Sequence, residues 1–138
     1  MGEGALTLES FLEAWEETDE NNKAAFLHFK SCLEKKEGVL FEFIPRPGVT
    51  YSLRVSHPNQ REKSLFAMID VIEDDPRWLS ICFYGAMIND PDEEGDFVPE
   101  GLLGEDAICF DIDAWEDRLI AYVESRLDEA WKAAKGEA

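Results

Sequence analysis

Val39-Leu40-Phe41-Glu42-Phe43-Ile44-Pro45-Arg46-Pro47-Gly48-Val49-Thr50-Tyr51-Ser52-Leu53-Arg54-Val55 is the stretch on which the fold turns. Val49, Tyr51, Leu53 and Val55 alternate with Thr50, Ser52, Arg54 and Ser56, a period of two that places one set of side chains on each face of a strand. Pro45-Arg46-Pro47-Gly48 is a turn signal, and Val39 to Ile44 before it is a second strand candidate, so the segment predicts a hairpin.

Upstream the period is that of a helix. Leu8, Phe11, Leu12 and Trp15 follow the i, i+3, i+4, i+7 pattern behind Thr7, a residue suited to capping. A second helix is expected from about Lys23 to Lys36, with Phe26, Phe29, Leu33 and Cys32 toward the core and Gly38 placed to end it. Downstream, Leu65 to Ile72 and Trp78 to Tyr84 read as a third and fourth strand around the turn Glu73-Asp74-Asp75-Pro76. Both are dense in apolar residues on both faces, as central strands are. From Gly85 to Glu105 there are two prolines, four glycines and seven acidic residues with no basic one. That segment is expected to be a long acidic loop, over about 85–106, holding a short helix. Ala107 to Asp111 reads as a fifth strand, and Asp113-Ala114-Trp115-Glu116 resembles a capping box ahead of a long helix carrying Leu119, Tyr122, Val123, Leu127, Ala130 and Trp131.

Nothing in this order alternates strand with helix as a parallel sheet requires. The expected class is α+β: a mainly antiparallel sheet of about five strands with N-terminal helices and a long C-terminal helix packed against it, all in one domain over residues 1–138.

The run Ser64-Leu65-Phe66-Ala67-Met68-Ile69 before a turn, then Trp78-Leu79-Ser80-Ile81-Cys82-Phe83, a late Gly-rich loop, a short strand and a closing helix with Ala121-Tyr122 resembles the YjbR/YdhG-like group of small bacterial domains. The resemblance spans roughly Phe26 to Ala134 and lies in element order and apolar pattern. It implies a compact α+β domain with an antiparallel sheet, and it carries over no catalytic residue. The acidic stretch from Asn89 to Asp106 and the acidic N-terminal helix depart from that pattern.

Charge bounds the function classes. The chain holds 31 acidic against 13 basic residues, a formal net charge of -18. Affinity for nucleic acid rests on Lys and Arg displacing counterions, so direct nucleic-acid binding is not expected, nor is binding to anionic membranes. No apolar run approaches the ~18 residues that cross a bilayer. The N-terminal stretch to Glu20 carries seven carboxylates and no Lys or Arg, unlike the basic start of a secretory signal. Cys32, Cys82 and Cys109 are odd in number, widely separated and set among apolar neighbours, which indicates no disulfide framework and a reducing cytoplasm as the location.

Several constellations are candidates for a site. Asp90-Pro91-Asp92-Glu93-Glu94-Gly95-Asp96-Phe97 places oxygen donors at alternate positions with Gly at the sixth, as a calcium loop does, but position twelve is Gly101 and Glu100 falls one residue early. A solvated acidic loop is the plainer account. Asp92, Glu94 and Asp96 are nevertheless the carboxylates most able to converge in a small hydrolase or metal-dependent enzyme. Glu42 and Arg54 are expected to face one another across the hairpin, either as a ligand-anchoring pair on an open sheet face or as an ordinary cross-strand salt bridge. Arg46, Arg54, Arg61, Lys63 and Arg77 could gather into one basic zone able to hold a carboxylate or phosphate. His28 and His57 lack the short-spaced partners of a zinc site and are expected at the surface or rim. No phosphate loop, dinucleotide fingerprint, nucleophile elbow or H-E-x-x-H occurs, so no cofactor is indicated. The sequence therefore favours a non-catalytic binding or interaction module, with a basic protein or a small ligand as partner, over the enzyme reading.

Overall fold

The computed structural model describes residues 6–137. Helix α1 (Leu8–Ala14) and helix α2 (Asn22–Glu34) come first, followed by strands β1 (Leu40–Arg46), β2 (Thr50–Ser56), β3 (Ala67–Ile72) and β4 (Trp78–Tyr84). A 3-10 turn (Gly85–Met87) leads to β5 (Asp96–Leu102), β6 (Glu105–Ile112) and the long helix α3 (Asp117–Lys135). The six strands form one antiparallel sheet in the order β1-β2-β3-β4-β6-β5. The α+β class expected from the spacing is what forms, and β3 and β4 lie at the sheet's centre.

One face of the sheet makes the core. Leu53, Val55, Ala67, Ile69, Val71, Leu79, Ile81, Phe83, Phe110 and Ile112 sit at the alternate positions facing the helices, all 1% exposed or less. Against them lie Phe26, Phe29 and Leu33 of α2 and Val123, Leu127 and Ala130 of α3. At roughly 1.5–3 kcal/mol per fully buried large side chain, this layer is the main source of stability. α1 is short, and it holds its place through Phe11, which stacks on Tyr51 at 4.4 Å and lies 5.6 Å from Phe43. Thr7 caps it as expected: its hydroxyl accepts from the Ser10 amide, and Ser10 Oγ accepts from the Thr7 amide.

Four expectations fail, each for a local reason. The acidic segment is not a continuous loop, since Asp96–Leu102 pairs with β6 as an edge strand. Pro99 and Gly101 hid it, and Pro is tolerated there because an edge strand can leave one side of its ladder unpaired. The box at Asp113–Glu116 does not cap α3, whose N-cap is Glu116 without a side-chain bond. Instead the Trp115 amide donates to Glu20 O and the Asp113 carbonyl accepts from Asn22 Nδ2, so this turn is tied to the start of α2. Cys82 and Cys109 are directly opposed on β4 and β6, 4.1 Å apart at Cα, and form a disulfide. Their separation of 27 residues gave no hint of that register. Finally, His57 is not at the surface: it is 7% exposed, with Nδ1 accepting from the Asn59 amide. Gly38, at φ +78, packs on the His57 ring where any Cβ would clash.

Among the described residues, no helix is long and apolar enough to cross a membrane.

Candidate ligand face of the sheet

The second face of the sheet is covered at one end only. Leu65 and Leu102 join Cys82, Tyr84, Ala107 and Cys109 in a small apolar cluster there. The rest mixes polar side chains from central strands with the partly buried Ile44, Ile72 and Trp78. Cross-strand pairing puts Ser52, Asp70, Ser80 and Asp111 in one row over β2, β3, β4 and β6. The adjacent row holds Glu42, Arg54 and Met68.

This row is chemically unfinished. Ser52 is 8% exposed, Arg54 Nε is shielded from solvent with no hydrogen-bond partner, and Ser52 Oγ and Asp70 Oδ1 are shielded beside one another on cross-strand neighbours. Leaving such a group unpaired costs about 1–3 kcal/mol. Burial pushes the Asp70 carboxyl above the usual carboxylate range, against the opposing pull of Ser52, Arg54 and Arg46. Burial also raises Asp111, helped by Asp96 and resisted by Ser80.

Glu42 and Arg54 are Cα partners, as the alternation implies. No ion pair within 4.0 Å joins them, so the salt-bridge account of this pair is not what the side chains do. The basic residues only partly gather. Arg46 and Arg54 lie close enough to Asp70 to act on its charge. Lys63 pairs with Glu105 over the Tyr84 ring at 5.0 Å. Arg61 donates to the carbonyls of Pro58 and Gln60. Arg77 belongs to the other side: it forks onto Glu73 (Nη2 at 2.9 Å, Nε at 3.2 Å) and lies against the rings of Phe11 and Tyr51, each at 5.0 Å. Its role there is to hold α1 on the sheet.

The carboxylates of the acidic stretch do not converge. Glu94 pairs with Arg118 at 2.6 Å, Asp92 is exposed, and Asp96 stands opposite Cys109 on β5. Asp90 organises the turn, its two oxygens accepting from the amides of Glu94 and Gly95 and from the Tyr122 hydroxyl. Burial works against the Asp90 charge, but the Tyr122 hydroxyl and those amides outweigh it and hold the carboxyl below its usual range. A carboxylate so engaged is a structural brace.

Asp70 and Ser80 interrupt strands that read as apolar on both faces, and that interruption is the signal the alternation offered and the apolar density masked. Among the described residues, one set of three potential metal donors converges, and it lies in the helical layer: His28, Cys32 and Glu124. No family model, no curated protein and no solved structure matches the chain.

Proposed function

We propose that the protein is a non-catalytic binding module whose open sheet face takes a small polar ligand bearing one anionic oxygen and one hydrogen-bond donor. The observation that supports this reading is the shielded Arg54 Nε, which has no hydrogen-bond partner, beside the buried carboxyl of Asp70. Arg54 supplies a charge-assisted donor for a carboxylate or phosphate oxygen, Asp70 an acceptor, and Ser52 and Ser80 hydroxyls that turn to either role. Arg46 adds positive potential on a protein that is otherwise strongly acidic.

The chemistry on this face binds and does not transform. Neither histidine is hydrogen-bonded to any residue of the row, so no imidazole base stands beside its serines. A basic protein partner is a second reading, favoured by the net charge of -18, and it would use the acidic helices and not this face.

The test is a titration of the labelled chain with small mono- and dicarboxylates and with inorganic phosphate, followed by amide shifts. The reading requires saturable shifts confined to the second face of β2, β3 and β4, lost in Arg54→Ala. Shifts scattered over the acidic helices, or none at millimolar ligand, would sink it.

A further inference from the structure

His28 and Cys32 are one helical turn apart on α2, so their side chains leave the same face of the helix. Glu124 reaches them from α3, which packs alongside. His28 Nε2 lies 2.8 Å from Glu124 Oε1 and 3.7 Å from Cys32 Sγ, and the three donor atoms all fall within 4.8 Å of one another.

Two chemistries use a thiol, an imidazole and a carboxylate. In a nucleophile–base–acid relay the thiol and the carboxylate must engage opposite ring nitrogens, so that one holds the tautomer while the other gives up its proton. Here both face the same nitrogen, Nε2, which is not the geometry of the relay. One ring nitrogen, one sulfur and one carboxylate oxygen gathered within 4.8 Å of one another is instead a donor set a metal centre uses.

We propose that His28, Cys32 and Glu124 form a binding site for a zinc-class divalent transition metal, with the fourth position open to water or an added ligand. The distances fit: tetrahedral bonds of about 2.0 Å to nitrogen and oxygen and about 2.3 Å to sulfur separate the donor atoms by roughly 3.3–3.6 Å. The observed 2.8 and 3.7 Å at the His28 nitrogen bracket that range, and the sulfur and the carboxylate oxygen lie within 4.8 Å of one another.

The donor set also selects the metal. Thiolate and imidazole suit zinc and cobalt, whereas calcium and magnesium demand oxygen ligands throughout. A thiolate and a carboxylate carry two negative charges, which a dication balances. Access is open, since the side chains of His28 and Glu124 are 35% and 43% exposed and Glu124 also lines a cleft of about 600 Å³ along α3. The nearest ammonium, Lys36, is drawn off by Asp128 at 3.2 Å, and Trp115 closes one side with its ring edge-on to His28 at 5.6 Å. Three protein ligands with an open fourth position is the pattern of zinc sites that accept an exogenous ligand.

The experiment is a cobalt titration of the full chain with optical detection, paired with zinc competition against a chromophoric chelator. Cys82 and Cys109 are joined to one another, so a thiolate-to-cobalt charge-transfer band must come from Cys32. One equivalent should bind with that band and with d–d bands of tetrahedral intensity, and zinc should abolish both. Cys32→Ser should remove the charge-transfer band, and His28→Ala and Glu124→Gln should each weaken zinc by at least about tenfold. These positions are partly exposed, and circular dichroism of each variant establishes that it is folded. The proposal is overturned by the absence of a charge-transfer band, by its survival in Cys32→Ser, by unchanged zinc affinity in His28→Ala and Glu124→Gln, or by displacement of cobalt with millimolar calcium.

Discussion

Two carboxyl groups on this sheet are shifted in opposite directions. The Arg77 fork, joined by the Tyr51 hydroxyl, holds the Glu73 carboxyl below its usual range. Its stabilising effect is present above the unfolded pKa of a glutamate, about 4.3, and is lost as the pH falls through the lowered native value. Asp70 is raised by burial, so the native state binds a proton more readily than the unfolded chain does. Stability from that group is therefore highest in acid and declines as the pH climbs through its native pKa. Chemical denaturation of Asp70→Asn at pH 7 should give a midpoint above the parent's, with the advantage vanishing below about pH 4, while Glu73→Gln should be less stable at pH 7 and match the parent in acid. A pH-independent difference in either variant would assign its effect to shape and not to charge. Asn22 is of another kind: 1% exposed, its amide donates to the carbonyls of Arg77 (2.9 Å) and Asp113 (2.8 Å), joining α2 to the start of β4 and the adjacent end of β6. Asn22→Ala removes the donor from both carbonyls and should cost about 1–2 kcal/mol in denaturation at constant m.

At the scale of elements, the middle of the sheet and its edge differ in kind. β3 and β4 are paired on both sides and buried through the core, whereas β5 is paired on one side, breaks register between Val98 and Leu102, and leaves Phe97 63% exposed. Native-state hydrogen exchange should open β5 well before β3 and β4, and equal protection of all three would show a more cooperative sheet. The hairpin of β5 and β6 starts at Gly95, where a Cβ would stand 2.5 Å from Ile108 and 3.0 Å from the Phe110 ring. Gly95→Ala therefore overpacks a tight contact and should destabilise by about 1–3 kcal/mol. α1 rests on Phe11, and Phe11→Ala should remove about 3–5 kcal/mol together with the near-ultraviolet signal of Trp15 beside it. These contrasts explain what could be read in advance. The alternation in Thr50–Val55 and the helical stripe of α3 are local periodic signals, and both elements form where those signals lie. β5 has no such signal, because an exposed edge needs no apolar face and accepts Pro99. The candidate sites were less legible still. Arg54 and Glu42 followed from hairpin register, but Asp70 with Ser52 depends on which strand lies next to β2. His28 with Cys32 is a helical i, i+4 pair that the expectation of no short-spaced partner for His28 overlooked, whereas Glu124, 96 residues beyond His28, joins them only through the packing of α3 on α2.

Across the whole molecule the question is whether the excess of carboxylates or their ion pairs governs stability. Surface pairs are present, among them Lys30–Glu34 at 2.6 Å, Arg118–Glu94 at 2.6 Å and Lys132–Asp128 at 3.0 Å. Each of these is worth at most about 1 kcal/mol, and salt weakens it. The 31 acidic residues outnumber the 13 basic ones so far that most carboxylates can have no cationic partner, and the compact state crowds them together. Their mutual repulsion is the larger quantity, and salt weakens that as well, since the screening length contracts from about 30 Å at 0.01 M to about 10 Å at 0.1 M. Relief of repulsion should therefore win: raising sodium chloride from about 0.01 to 0.2 M should lift the melting temperature by several degrees, equivalent to about 1 kcal/mol or more for a chain of this size. A monovalent salt is required, because a divalent metal would also bind specifically and stabilise by mass action. The same titration in Arg54→Ala separates the two charge environments. Removing a cation from an acidic protein adds to the net repulsion and should steepen the salt response. Should the melting temperature fall with salt in the parent chain, the ion pairs would outweigh the repulsion, and the surplus negative charge would already be dispersed enough to do little harm.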